Sequence, residues 1–89
     1  MEKIVLVDDD PIFLRVAEKR LRTAGYQVFT APDGVAGLEL IRNEQPQLVL
    51  LDLMMPKKHG FAVIQEMRSD AALSGIQVIV SSGKAYPVD

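Results

Sequence analysis

The chain has 89 residues, of which 48% are hydrophobic and 25% charged, and its formal net charge at pH 7 is −2. This length allows one domain, and the slight acidity argues against direct nucleic-acid binding, because phosphate backbones attract basic surfaces. The sequence has no cysteine, which excludes disulfides and thiolate metal sites and suits a cytoplasmic location. The apolar run at residues 4–7 is too short for a signal-peptide core or a membrane span.

The first predicted elements are a strand and an amphipathic helix. The apolar residues 4–7 are typical of a buried strand, and the acids Asp8, Asp9 and Asp10 follow it directly. Pro11 suits the first turn of a helix, with Asp10 as its N-cap, and Gly25 is a good C-terminal stop. The predicted polar face of this helix is Arg15, Glu18, Lys19 and Arg22, and the apolar face is Leu14, Ala17, Leu21 and Ala24.

A second strand and a second helix follow. The strand is predicted over residues 26–31, and the turn at residues 32–34 starts a helix that runs to about residue 43. Pro46 closes this helix, because the residue before a proline avoids the α region. The predicted apolar face of the helix consists of Val35, Leu38 and Ile41.

The third strand is an apolar run, residues 48–52, that ends in Asp52. Four consecutive apolar residues predict a strand buried on both faces in the middle of a parallel sheet. A carboxylate at the end of such a strand is costly unless something uses it. A loop through Gly60, a helix over residues 61–68 and a strand over residues 76–81 complete the chain. The predicted markers of the last helix are Phe61, Ile64 and Met67.

This alternation of strands and helices predicts an α/β fold, a parallel sheet with helices on both faces. If the first and third strands are neighbours, Asp8, Asp9 and Asp52 meet at the sheet edge where ligands of such folds collect. Carboxylate oxygens are the ligands that Mg²⁺ prefers. A carboxylate beside Mg²⁺ can be the nucleophile that forms an aspartyl-phosphate, and the Ser82 hydroxyl could donate a hydrogen bond to the phosphoryl group.

Three motifs in this order resemble the signature of response-regulator receiver domains. They are Val-Asp-Asp at residues 7–9, Leu-Asp-Leu-Met-Met-Pro at residues 51–56 with Gly60, and Val-Ser-Ser-Gly at residues 80–83. The resemblance covers the whole chain. It implies a flavodoxin-like, doubly wound parallel sheet with strand order 2-1-3-4-5 in a complete domain.

The resemblance also implies roles for single residues. Asp52 matches the phosphoacceptor, Asp8 and Asp9 match the acid pair that organises Mg²⁺, Met54 supplies a backbone carbonyl to the metal, and Ser82 matches the switch hydroxyl. The donor would be a histidine on a sensor kinase or a phosphotransfer protein. Such a domain catalyses its own phosphorylation and dephosphorylation and turns over no separate substrate, so it is not expected to be an enzyme in the usual sense.

Residues 83 and 84 have implied roles too. Gly83 matches a small residue that leaves room for the phosphoryl group. Lys84, together with Met54, matches variable positions that influence how long this group survives. Lys84 lies too close to Ser82 in sequence to match the lysine that receivers carry on their fifth strand.

The resemblance departs from the family at its C-terminal side. Receivers have a fourth helix, a fifth strand with the lysine and a fifth helix beyond the point that corresponds to Asp89, so residues 1–89 are expected to be a receiver domain without most of these elements. The fourth strand would then be a sheet edge and would pair with a second copy or exchange elements with it. The alternative function is a degenerate or truncated receiver that acts as an interaction or dimerisation module without phosphorylation.

Two further interpretations of the acids remain. The Asp-x-Asp at residues 8–10 could begin a phosphatase of the haloacid-dehalogenase type, but that family needs a distant lysine and a second acid pair for which the chain has no room. Alternatively, Asp8 and Asp9 are acids of a solvated loop. Asp10 is expected to be a helix cap rather than a metal ligand, and His59 is expected to face the solvent.

Overall fold

Parallel strands alternate with helices along the part of the chain that the structure describes. The structure is a computed structural model and describes residues 2–53 and 59–81. Within these ranges, no helix has the length and apolar character that a membrane span requires. The elements are β1 (Lys3–Val7), α1 (Pro11–Thr23), β2 (Gln27–Ala31), α2 (Gly34–Glu44), β3 (Leu48–Asp52), α3 (Gly60–Ser69) and β4 (Gln77–Ser81).

The strands form one parallel sheet in the order β2-β1-β3-β4. This arrangement confirms the predicted fold class, and the predicted bounds of β3 are the observed ones. Val7 pairs with Ala31 on one side and Leu51 on the other, and Asp52 pairs with Ser81. The carboxyl ends of the four strands therefore lie together at one edge of the sheet.

β1 holds the two halves of the core together, because alternate residues of a strand face opposite sides of a sheet. Val5 and Val7 belong to the apolar cluster that includes residues of α2 and α3, whereas Ile4 and Leu6 belong to the cluster that includes Leu14 of α1. All four β1 residues are buried, and burial of each such side chain stabilises the fold by about 1.5–3 kcal/mol. The end of β1, where Asp8 lies, is thus fixed from both faces.

The start of α1 is the predicted one. Asp10 is its N-cap, and its carboxylate accepts hydrogen bonds from the backbone N–H groups of Ile12 (3.0 Å) and Phe13 (3.3 Å). Gly25 follows the helix with φ of 103°, a conformation that favours glycine. Of the predicted apolar face, Leu14 is buried and Ala17 and Leu21 are half-buried. Ala24 is exposed, since it is the C-cap and lies beyond the last helical residue.

The predicted apolar faces of α2 and α3 are wrong at their first position. Val35 is 56% exposed and Phe61 is 69% exposed. Each helix begins one residue earlier, with a buried glycine, Gly34 or Gly60. Successive helical residues are about 100° apart around the axis, so the residue after a buried first residue points away from the sheet. The observed buried positions are Gly34, Gly37, Leu38 and Ile41 in α2, and Gly60, Val63 and Met67 in α3.

Candidate functional site

Two strand ends carry the acidic residues of the predicted site. Asp8 directly follows β1, where its N–H donates to the carbonyl of Ala31 (3.1 Å) and its Oδ1 accepts from the N–H of Asp10 (2.9 Å). These two bonds hold the backbone of Asp8 and one of its carboxylate oxygens. Asp52 is the last residue of β3 and is 1% exposed, and Asp8 is 6% exposed. Both carboxylates are therefore largely removed from bulk water.

The structure brings Asp8, Asp9 and Asp52 together, as the sequence predicts. One carboxylate oxygen from each of the three lies within 4.8 Å of the other two. Two like unit charges about 4 Å apart repel by about 4 kcal/mol at an effective dielectric of ~20. A cation between them removes this repulsion, and a hard divalent cation such as Mg²⁺ needs only one or two carboxylates besides water. The donor set fits a divalent cation of this kind.

A small cavity of about 140 Å³ lies beside the cluster. Phe13, Leu50 and Ile79 line its apolar side, and Asp8, Asp52 and Ser81 are its polar lining residues. A larger cavity of about 490 Å³ lies between α2 and α3. The smaller cavity is the candidate functional site, because of the two it is the one that Asp8 and Asp52 line.

Two lining residues were not recognised from the sequence. Ser81 pairs with Asp52 in the β3–β4 register and lines the cavity, so among the described residues it is the one that brings a hydroxyl group to the site. The pairing register of β3 with β4 could have indicated Ser81, because it places Ser81 beside Asp52. Phe13 lies in the first turn of α1 and reaches the cavity, and no sequence signal separates it from a core residue.

The remaining predicted site residues have no described position. Met54, Ser82, Gly83 and Lys84 lie outside the described residues. Their roles stay predictions. His59 is exposed and precedes α3 without a side-chain capping bond, which agrees with a solvent-facing residue.

Comparison with known proteins points to one family. Residues 4–89 match the response regulator receiver domain family. A probable transcriptional regulator, ycf27 of Galdieria sulphuraria, is 49% identical over 70 residues, which make up 79% of this chain and 28% of that regulator. The chain spans 28–29% of the length of the ycf27 regulators that it matches.

Solved structures similar to this chain include response regulators as well. The N-terminal domain of a response regulator receiver protein from Methanoculleus marisnigri superposes with a TM-score of 0.87 at 32% identity, covering 98% of this chain and 72% of that one. The Mn²⁺-bound form of the response regulator Rcp1 superposes with a TM-score of 0.79 at 30% identity, covering 90% of this chain and 64% of that one.

Proposed function

Because the chain belongs to the response regulator receiver domain family, we propose that Asp52 accepts a phosphoryl group from a histidine of a partner kinase or phosphotransfer protein. The observation that carries this proposal is the meeting of three carboxylates at the ends of β1 and β3, where Asp52 is more deeply buried than Asp8. A structural role alone does not require three acids within 4.8 Å of one another.

The proposed step is a direct transfer between two residues. A carboxylate oxygen of Asp52 attacks the phosphorus, a new P–O bond forms, and the bond from phosphorus to the donor nitrogen breaks. The nitrogen keeps the electron pair of that bond and takes up a proton from water. With acetyl phosphate as donor, acetate leaves with the electron pair and no proton is needed.

Asp8 and Asp9 would hold a Mg²⁺ ion together with Asp52. Bound there, the ion would neutralise the phosphoryl oxygens and so lower the repulsion between them and the attacking carboxylate. The hydrogen bond from the N–H of Asp10 to Oδ1 of Asp8 orients that carboxylate before any ion arrives. The response regulator Rcp1, which has a related fold, binds the divalent cation Mn²⁺, and this supports the assignment.

The phosphorylated residue would act as a signal rather than as a step of turnover. We propose that the chain processes no separate substrate. Its partners in the proposal are a histidine kinase or a phosphotransfer protein, while nucleic acid is not a direct partner of this part, whose net charge is −2. The cytoplasmic location stays a prediction.

The proposal predicts a Mg²⁺-dependent phosphoryl adduct. Incubation of the chain with acetyl phosphate and Mg²⁺, followed by intact-mass measurement, should reveal one added phosphoryl group. The adduct should be absent when EDTA replaces Mg²⁺, because the three acids would then repel the incoming phosphoryl group. Circular dichroism of the same sample establishes that the chain is folded. A folded chain without an adduct would instead support the alternative, a receiver that serves only as an interaction module.

β4 supports a second, compatible function as a pairing surface. In the described part of the chain, β4 is hydrogen-bonded to a strand on one side only, that of β3. Ile79 is 55% exposed and Val80 is exposed as well, and an apolar edge strand is a template for pairing with another chain. We propose that two copies associate through β4, because the same edge is present on each.

A lysine on the exposed side of β4 should prevent this pairing. Val80→Lys places a charge that would be buried in the paired state, and edge lysines are a common device against strand pairing. Light scattering should give a mass above the monomer for the unchanged chain at rising concentration and a monomer for the variant. Val35→Lys, an equal change on the exposed side of α2, is the control and should behave like the unchanged chain. A monomeric unchanged chain with a cooperative melt would contradict the pairing.

A further inference from the structure

The first residue of α3 lies unusually close to the residue that the proposed function makes the phosphoacceptor. A Cβ atom built on Gly60 would lie 2.7 Å from Cα of Leu53, 2.8 Å from the carbonyl oxygen of Asp52 and 2.9 Å from Cδ2 of Leu53. Contacts this short do not occur in real proteins, and two of the three atoms belong to the backbone. The φ angle of Gly60 is not positive, so the position requires glycine for space and not for conformation.

Hydrogen bonds on the strand side and apolar packing on the helix side hold Gly60 close to the peptide between Asp52 and Leu53. The N–H of Gly60 donates to the carbonyl of Leu53 (3.2 Å), and the N–H of Leu53 donates to the carbonyl of Ser81 (3.0 Å). On the helix side, Val63 and Met67 are completely buried in the core, so α3 cannot move away from the sheet without exposing them. An added side chain at position 60 would therefore displace the peptide that joins Asp52 to Leu53.

We propose that Gly60 is a positioning residue for the acid cluster. By lacking a side chain it lets α3 rest on the Asp52–Leu53 peptide, and this contact sets where the Asp52 carboxylate lies relative to Asp8 and Asp9. The three acids are close enough for one ion, and a functional site requires its groups within about 0.5 Å of their productive positions. The inference rests on the proposed function, because it concerns the same metal and the same acceptor.

Gly37 is a second buried glycine, at which an added side chain should lower stability without moving Asp52. A Cβ on Gly37 would lie 2.7 Å and 2.8 Å from the two Cγ atoms of Val7, so it would meet a side chain and not the backbone of a strand end. Gly37→Ala should lower the unfolding midpoint by overpacking the core while leaving the position of Asp52 unchanged. Gly75 has no heavy atom within 4 Å of its built Cβ, and Gly75→Ala is the neutral control.

The test is the Mg²⁺ affinity of Gly60→Ala, measured by calorimetry on the full chain. We expect affinity to fall about 10- to 100-fold, as it does when residues that orient metal ligands are changed. Gly75→Ala should bind within about threefold of the unchanged chain, a difference too small to matter on this scale. Amide NMR signals of residues 8, 9 and 53 should shift with Mg²⁺ in Gly75→Ala and shift less, or only at higher concentration, in Gly60→Ala.

A double variant separates the backbone contact from the side-chain contact. Gly60→Ala/Leu53→Ala removes the Cδ2 contact but keeps both backbone contacts, so affinity should stay low. Recovery of full affinity would overturn the proposal, as would unchanged affinity in Gly60→Ala. All variants are measured in trimethylamine N-oxide, which favours the folded state. Failure of Gly60→Ala to fold even there would also overturn it, because Gly60 would then serve the fold alone.

The outcome for the unchanged chain separates this inference from the proposed function. If the unchanged chain binds no Mg²⁺ and gains no phosphoryl group, the proposed function fails. If it does both and Gly60→Ala does the same equally well, only the positioning role of Gly60 fails.

Discussion

Asp52→Asn should abolish the phosphoryl adduct completely. The amide has almost the same shape as the carboxylate, so it fits the buried end of β3, where Asp52 is 1% exposed. Its oxygen carries no charge and its nitrogen lone pair is delocalised, so neither atom attacks phosphorus as a carboxylate does. Intact mass after incubation with acetyl phosphate and Mg²⁺ checks the result. Because the variant has no nucleophile at position 52, intact mass should show no adduct at all.

Asp10→Asn is the matched control for this loss. Asp10 lies beside the cluster but caps α1 through its side-chain oxygen, and asparagine is an equally good N-cap. This variant removes one negative charge from the same region and should keep the adduct. An adduct that persists in Asp52→Asn, or that disappears in Asp10→Asn while the fold is intact, would assign the acceptor role elsewhere.

Asp8→Asn should weaken Mg²⁺ binding about tenfold or more. One of the three carboxylates that would surround the ion loses its charge, and the interaction between unit charges at such distances is about 1–4 kcal/mol between the dielectric of water and that of a protein surface. A change of about 1.4 kcal/mol corresponds to a factor of ten. Asparagine can still accept the hydrogen bond from the N–H of Asp10, so the local backbone should be preserved.

The effect is measured as metal-dependent stability. At a Mg²⁺ concentration about 100 times the dissociation constant, binding stabilises the folded chain by about 2.7 kcal/mol, and a tenfold weaker variant gains only about half of this. For a domain of this size, each kcal/mol shifts the melting temperature by about 4–8 °C. Glu2→Gln is the control. Glu2 is exposed and directly precedes β1, so it lies at the amino end of that strand, whereas Asp8 lies at the carboxyl end. Equal Mg²⁺-induced shifts in both variants would contradict a metal role for Asp8.

The sequence predicts the fold and the acid cluster well because both depend on strands. The apolar run of β3 has the predicted bounds, since an unbroken buried strand leaves little freedom in where it begins or ends. Parallel strands place their carboxyl ends together, so the acids after β1 and β3 meet wherever those strands are neighbours. Asp8, Asp9 and Asp52 could thus be placed without coordinates.

The faces of α2 and α3 could not be predicted in full, because their first buried residue has no side chain. Patterns of apolar residues detect side chains, and they selected Val35 and Phe61, which are exposed. Gly34 and Gly60 occupy the buried positions instead. The contact of Gly60 with the peptide after Asp52 depends on the distance between a helix and a strand, and no local pattern reports that distance.

In the proposed function, Asp52 is the residue that carries the phosphoryl group. The most direct test is reductive trapping of the phosphorylated chain with borohydride, which converts an aspartyl-phosphate to homoserine, followed by peptide mapping by mass spectrometry. We expect homoserine at position 52 and aspartate at positions 8, 9 and 10. Homoserine at position 8, 9 or 10 would contradict the role of Asp52 as the acceptor. So would the absence of homoserine from a chain that has gained a phosphoryl group.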